Sequence, residues 1–209
     1  MKITWIGHAC FKIESDGYSI VLDPYADGSV PGFTPVREKA NMVLCSHGHG
    51  DHNAADCVEL TNGGENPFTI TRIETYHDSQ MGKQRGMNTI HILDDGNSRV
   101  AHLGDLGCGL DEKQIELLYG LDAVMIPIGG YYTIDIQQAV KVIDQIKPKM
   151  ILPMHYMSNE KAGIAFGYEV LDTVTDFLEF FDTVVTLEES TVDTLNIPAK
   201  VVVLKPQNI

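Results

Sequence analysis

"CSHGHGDHNA", residues 45–54, sets His47, His49, Asp51 and His52 within six positions. Imidazole and carboxylate groups this crowded compete for the same water unless a cation gathers them. Imidazole nitrogen and carboxylate oxygen suit zinc and similar divalent ions. Gly48 and Gly50 separate the polar residues, and glycine tolerates sharp backbone turns, so a short loop can aim several side chains at one point. On an ideal strand His47, His49 and Asp51 share one face and His52 takes the other. Four donors from one loop wrap a single ion poorly. The stretch therefore predicts two ions and more donors downstream.

Upstream, residues 41–46 form an apolar run of the kind a buried strand shows. Residues 2–6, 10–14 and 19–23 alternate or run apolar, and Ser15-Asp16-Gly17 marks a hairpin turn between the last two. Strands are predicted at 69–76, 89–93 and 98–103, the last two joined by a turn at Asp94-Asp95-Gly96-Asn97. The rhythm then changes. Residues 111–119 and 134–146 carry apolar side chains at helical spacing, each followed by a short strand, 123–127 and 150–153. A further helix is predicted over 172–181, with closing strands at 183–187 and 200–205. Strands first and alternating helix and strand afterwards predict an α/β domain with sheets inside and helices outside.

His77 in "TYHDS", Asp105 in "HLGDLG" and His155 in "LPMHY" each end a predicted strand, where such architectures gather their chemistry. Singly, each reads as a surface or core residue. Beside the cluster, they read as ligands.

The chain has 209 residues, a net charge of −14 and 44% hydrophobic residues, which fits a single domain over 1–209 with a sizeable core. So acidic a surface repels phosphate backbones and anionic lipid, which argues against nucleic acid or membrane as the main partner. "MKITWIGHACFKIE" reads as strand rather than signal peptide, and no apolar run reaches a membrane span. The four cysteines form no CxxC pair and predict free thiols in the cytoplasm.

"SHGHGDH" matches the HxHxDH signature of the metallo-β-lactamase superfamily. Asp23 in "VLDPY" resembles the aspartate that supports that family's metal loop, and "HLGDLG" resembles its turn with a bridging aspartate. "MKITWIGHACFKIE", "PIGGYYTID" and "ILPMHY" are similar to the small UlaG-like branch of metal-dependent hydrolases. The resemblance implies an αββα four-layer sandwich, two mixed sheets flanked by helices. It implies one metal on His47, His49 and His77, a second on Asp51, His52 and His155, and Asp105 bridging both. The ions would be zinc, with manganese or iron as alternatives. A metal-bridging hydroxide would then cleave a small ester, lactone or phosphodiester, with Asp51 orienting the nucleophile and Asp105 fixing the ions. A metal-stabilised binding or regulatory protein is the alternative; a di-iron redox role fits less, since His49 stands where those relatives carry glutamate.

Outside the ligands, His8 in "IGHAC" is expected to bind substrate, to donate a proton or to hydrogen-bond a ligand. Lys83 and Arg85 in "QMGKQRGMN" could meet an anionic substrate or simply be solvated. Tyr131, Tyr132 and Thr133 could line the pocket, or Thr133 or Asp135 could cap the next helix. His91 and His102 are expected to be structural or supporting.

Overall fold

The computed structural model describes residues 1–158 and 165–209. The alternating N-terminal segment becomes an antiparallel meander of β1 (Lys2–Gly7), β2 (Cys10–Ser15) and β3 (Tyr18–Leu22). Asp16 and Gly17, at φ 48° and 76°, make the tight turn between β2 and β3. β4 (Glu38–Ala40), β5 (Met42–Leu44) and β6 (Val58–Leu60) follow, then a long pair, β7 (Thr69–Tyr76) and β8 (Met87–Asp94), and β9 (Arg99–His102). Next come α1 (Glu112–Leu118), β10 (Ala123–Pro127), α2 (Ile136–Ile146), β11 (Met150–Met154) and α3 (Val174–Leu178). β12 (Val184–Thr186), β13 (Thr191–Asp193) and β14 (Val201–Val203) complete the order.

Two mixed sheets result. The first runs β13-β1-β2-β3-β5 and the second β12-β14-β11-β10-β9-β8-β7, with β4 and β6 pairing apart. They face each other over a shared apolar core, and Phe11 of β2 meets His102 of β9 at 5.9 Å between ring centroids. α2 crosses between the parallel strands β10 and β11 and buries Ala139, Val142, Ile143 and Ile146, one stripe of its surface. This is the αββα sandwich, with thin helical layers.

Asp135 is the N-cap of α2, in a reciprocal capping box with Gln138, and Asp111 does the same for α1 with Gln114. The helix predicted over 172–181 shortens to α3, in which only Phe177 is buried. A helix with one buried anchor has little packing to extend it. The predicted strands 41–46, 98–103 and 200–205 are each trimmed at their ends. β4, β6 and β13 have three residues each, too few to show a period of two.

Strand polarity positions the site. β1 and β3 run the same way because β2 is antiparallel to both, and β5 is parallel to β3. In the second sheet β7 and β9 are both antiparallel to β8, and β10 and β11 are parallel to β9. Each sheet thus sends a set of carboxyl-terminal strand ends to a single edge. His8, Asp23, the 46–52 loop, His77, Asp105 and His155 all follow such ends.

Candidate metal centre

Two groups of donor atoms converge there, each with all members within 4.8 Å of one another, and a third, Asp23 with His47 and His52, straddles them. One comprises His47, His49 and His77; the other comprises His8, Asp51, His52 and His155. Asp105 lies between them. Its Oδ2 is 3.3 Å from His77 Nε2 and 3.3 Å from His155 Nε2, and its Oδ1 is 3.2 Å from His52 Nε2. All the residues that the sequence singled out as ligands are therefore brought to one place, with His8 added to them.

The surrounding chain holds these groups in position. Asp23 is fully buried; its Oδ1 accepts from the Ser46 backbone N–H at 2.6 Å, and its Oδ2 accepts from His52 Nδ1 at 2.8 Å and from the Ser46 hydroxyl. Fixing Nδ1 in this way leaves His52 Nε2 to face the donor group. Asn88, also buried, accepts from the Asp105 backbone N–H at 2.9 Å and donates to Leu103 O and Thr75 Oγ1. In "HLGDLG" the two glycines bring the chain close enough. A Cβ on Gly104 would strike Ser46 and Asn88, and one on Gly107 would strike the backbone of His77 and Asp78.

Backbone strain concentrates here as well. Among the described residues six non-glycines take a positive φ, and His8 (52°), Asp23 (46°) and His155 (54°) are three of them. Left-handed backbone costs such residues of order 1 kcal/mol and is tolerated where the surroundings enforce it.

Burial alone would make these imidazoles poor tenants. Both ring nitrogens of His8 and His155, Nε2 of His47 and His52, Nδ1 of His77, and Oδ1 of Asp105 are buried without a hydrogen-bond partner. Each such orphan costs about 1–3 kcal/mol. Those that fall within or between the donor groups, a nitrogen-and-carboxylate set, fit divalent metal ions, whereas the remaining orphan, His91 Nδ1, lies outside those groups.

The acid–base character of the protein groups agrees with that fit. Burial, aided by the neighbouring His52, pushes His47 down to about 4. Burial also lowers His77, and burial with His155 beside it brings His8 to about 3 against the pull of Asp51. These rings are neutral at pH 7, the form that binds metal. His52 moves the other way: burial opposes its charge, but Asp105 and Asp23 flank it and raise it well above the ordinary value. Asp23 stays near 2, since His102, His52 and Ser46 outweigh its burial.

A cavity of about 280 Å³ opens onto the centre, lined by His49, Asp51, His77, Arg85, Asp105, Tyr132 and Tyr168. Of the residues expected to meet substrate, Arg85 and Tyr132 line it, and the Arg85 guanidinium lies 5.5 Å from the centroid of the Tyr132 ring. Lys83 and Tyr131 are exposed and stand outside the lining. The Thr133 hydroxyl bonds the carbonyl of Ile134 and lines nothing here. His8 is 1% exposed and is not among the lining residues, although it packs against Tyr168, which is. The Arg85 loop is anchored by Asp78. Its Oδ1 accepts from the N–H groups of Gln80 and Gly82, and its Oδ2 from those of Gln84 and Arg85. A larger cavity of about 350 Å³, between α3, β14 and the C-terminal segment, contains none of the donor residues. Donor residues line the smaller one.

Sequence reasoning missed Tyr168, whose hydroxyl donates to Ser29 O at 2.7 Å and lies 3.4 Å from Asp51 Oδ2. It also missed the roles of Asn88 and Asp78. A lone tyrosine, asparagine or aspartate carries no spacing signal.

An αββα sandwich with two histidine-rich donor groups at one sheet edge defines a metal-binding fold. Residues 2–155 match the model of the β-lactamase superfamily domain. A metal-dependent hydrolase of Archaeoglobus fulgidus is 31% identical, over 75% of this chain and 83% of its own. The structure of a candidate zinc-dependent hydrolase of the metallo-β-lactamase superfamily from Thermotoga maritima superposes with a TM-score of 0.77. It is 33% identical and covers 99% of each chain. An isothiocyanate hydrolase from Delia radicum gut bacteria shares the fold, at TM-score 0.63 and 13% identity over 100% of this chain and 98% of its own. The chain belongs to the β-lactamase superfamily and, within it, to the metal-dependent hydrolases.

Proposed function

We propose that this chain, as one catalytic domain over residues 1–209, is a dinuclear hydrolase of a small ester, lactone or phosphodiester that carries an anionic group. The observation that carries the reading is Asp105, a single carboxylate within 3.3 Å of rings from both donor groups. His47, His49 and His77 would hold one ion, Asp51, His52 and His155 the other, and Asp105 both. Zinc suits so many imidazoles, with manganese or iron the alternatives. Ions so held supply Lewis acidity and lower the pKa of water.

The chain's own residues do the rest. Asp51 is one-fifth exposed and faces the cavity, so its Oδ2 can accept a hydrogen from the attacking water and orient it. The Tyr168 hydroxyl, anchored on Ser29 O, lies beside that oxygen at 3.4 Å. Arg85 is the one lysine or arginine lining the cavity among the described residues, and its planar fork suits a carboxylate or phosphate. In a chain of net charge −14, that one guanidinium marks where an anion would dock. Among the described residues no helix is long and apolar enough to cross a membrane. Four free cysteines suit a reducing compartment, so the reading places the protein in the cytoplasm.

The test is a panel of lactones, carboxylic esters and phosphodiesters, each in neutral and anionic form, with metal content measured alongside. Two ions per chain are expected, with turnover that a chelator removes, reloading restores and His47→Ala lacks. Arg85→Ala should raise KM for anionic substrates roughly 10- to 100-fold, the loss of a hydrogen bond to a charged group, and leave the neutral ones unchanged. Turnover equal in wild type and His47→Ala would sink the catalytic reading. It would leave a metal-stabilised binding protein.

A further inference from the structure

His8 has no hydrogen-bond partner at either ring nitrogen, and it is buried to 1% exposure beneath the cavity floor. Its backbone is fixed. Its carbonyl accepts from Trp5 Nε1 at 2.9 Å and from the His155 N–H at 3.4 Å, and its φ of 52° aims the side chain inward. The ring lies 4.1 Å from the His155 ring and 5.5 Å from the His52 ring, centroid to centroid, with Nε2 3.8 Å from Asp51 Oδ2. That separation is too long for a hydrogen bond and suits two donors facing a common centre.

His102 shows what a structural histidine looks like in this chain. It is equally buried, but its Nε2 donates to Ala9 O at 2.8 Å and its Nδ1 accepts from the Gly104 N–H at 3.1 Å. No lone pair is left over. His8 has both nitrogens unused and lies within 4.8 Å of three other donors.

We propose that His8 is a ligand of the second metal ion, joining Asp51, His52, His155 and Asp105. This rests on the two-ion reading above and makes the two sites unequal, with the second the richer in donors. A ring sealed from the cavity neither binds substrate nor protonates a leaving group. Its role is to retain and orient the ion.

The test uses the full chain with Zn²⁺ or Co²⁺ alone. The eight histidines are labelled with nitrogen-15 and their ring resonances followed as zinc is added. Six rings are expected to take on the shift of a metal-bound nitrogen, with His91 and His102 unmoved. A ring of His8 that does not move overturns the inference, and this measurement needs no mutant. In parallel, cobalt titrations compare wild type with His8→Phe, which keeps the ring volume. The variant is expected to bind the second equivalent at least roughly 10- to 100-fold more weakly, with an altered visible spectrum and an unchanged first equivalent. Wild-type affinity and spectrum in His8→Phe overturn the inference alone. A wild-type chain that takes up one equivalent overturns the two-ion reading and the inference with it.

Discussion

Two sets of buried histidines lie close together and differ in what surrounds them. His91 and His102 face each other across β8 and β9, inside the second sheet. His8, His47, His52, His77 and His155 gather at the sheet edge. The sheet pair contributes to the protein interior: His102 spends both nitrogens on main-chain groups, and His91 belongs to no donor group among the described residues. Each histidine of the edge set keeps at least one ring nitrogen without a hydrogen-bond partner, and so does His91, at Nδ1. Burial alone therefore does not separate structural from metal-binding histidines. What separates them is whether other donor atoms gather around the free nitrogen. Asp23 touches both sets, 2.8 Å from His52 Nδ1 and 4.0 Å from His102 Nδ1.

Substitution tests that division. The largest effect is expected at Asp105, where Asp105→Asn removes the carboxylate shared by both donor groups. kcat/KM should fall at least the roughly 10²–10³-fold that loss of one charge-stabilising group costs, with metal lost on dialysis. In the sheet, His102→Ala leaves two buried backbone groups unpaired and should cost about 2–4 kcal/mol of stability. It is expected to keep metal affinity within a few-fold, measured by denaturant titration and chelator competition. If His102→Ala strips metal as readily as a ligand variant, the division between the sets is wrong. Asp23→Asn should do some of both, with metal affinity down about 10- to 100-fold and a lowered Tm.

The smallest effect is pH-dependent. Burial pushes His91 down to about 4, below the ordinary 6.5 it regains on unfolding. Between those values the unfolded chain binds a proton that the folded chain does not, so stability falls as pH falls through that window. The contribution lost by pH 5 is about 1–2 kcal/mol. His91→Leu should therefore show a smaller loss of Tm than wild type between pH 7 and pH 5. Equal losses would mean that His91 does not titrate on unfolding in this range.

How legible was this in the sequence? The 47–52 cluster announces itself because its donors are close in the chain. His77, Asp105 and His155 are single residues, visible only because each ends a readable strand. The alternation of residues 2–23 and the helical spacing of 134–146 carry the layer order. Three-residue strands such as β4 and β6 hold no pattern to read. Nor could spacing reveal that Asn88 clamps Asp105, that Tyr168 lies beside Asp51, or that His8 is buried with both ring nitrogens unpartnered. Those facts depend on which strand ends meet, and chain distance does not record it.

The Asp78 carboxylate gives the wall of the cavity an unusual independence. It holds Gln80, Gly82, Gln84 and Arg85 through their main-chain N–H groups, so these four bonds do not depend on the side chain carried at position 85. Arg85 can be exchanged without disturbing the histidines a few residues away. Recognition and bond-breaking are thereby uncoupled in inheritance: a lineage could drift from one substrate to another by editing this loop, with the metal centre passed on intact.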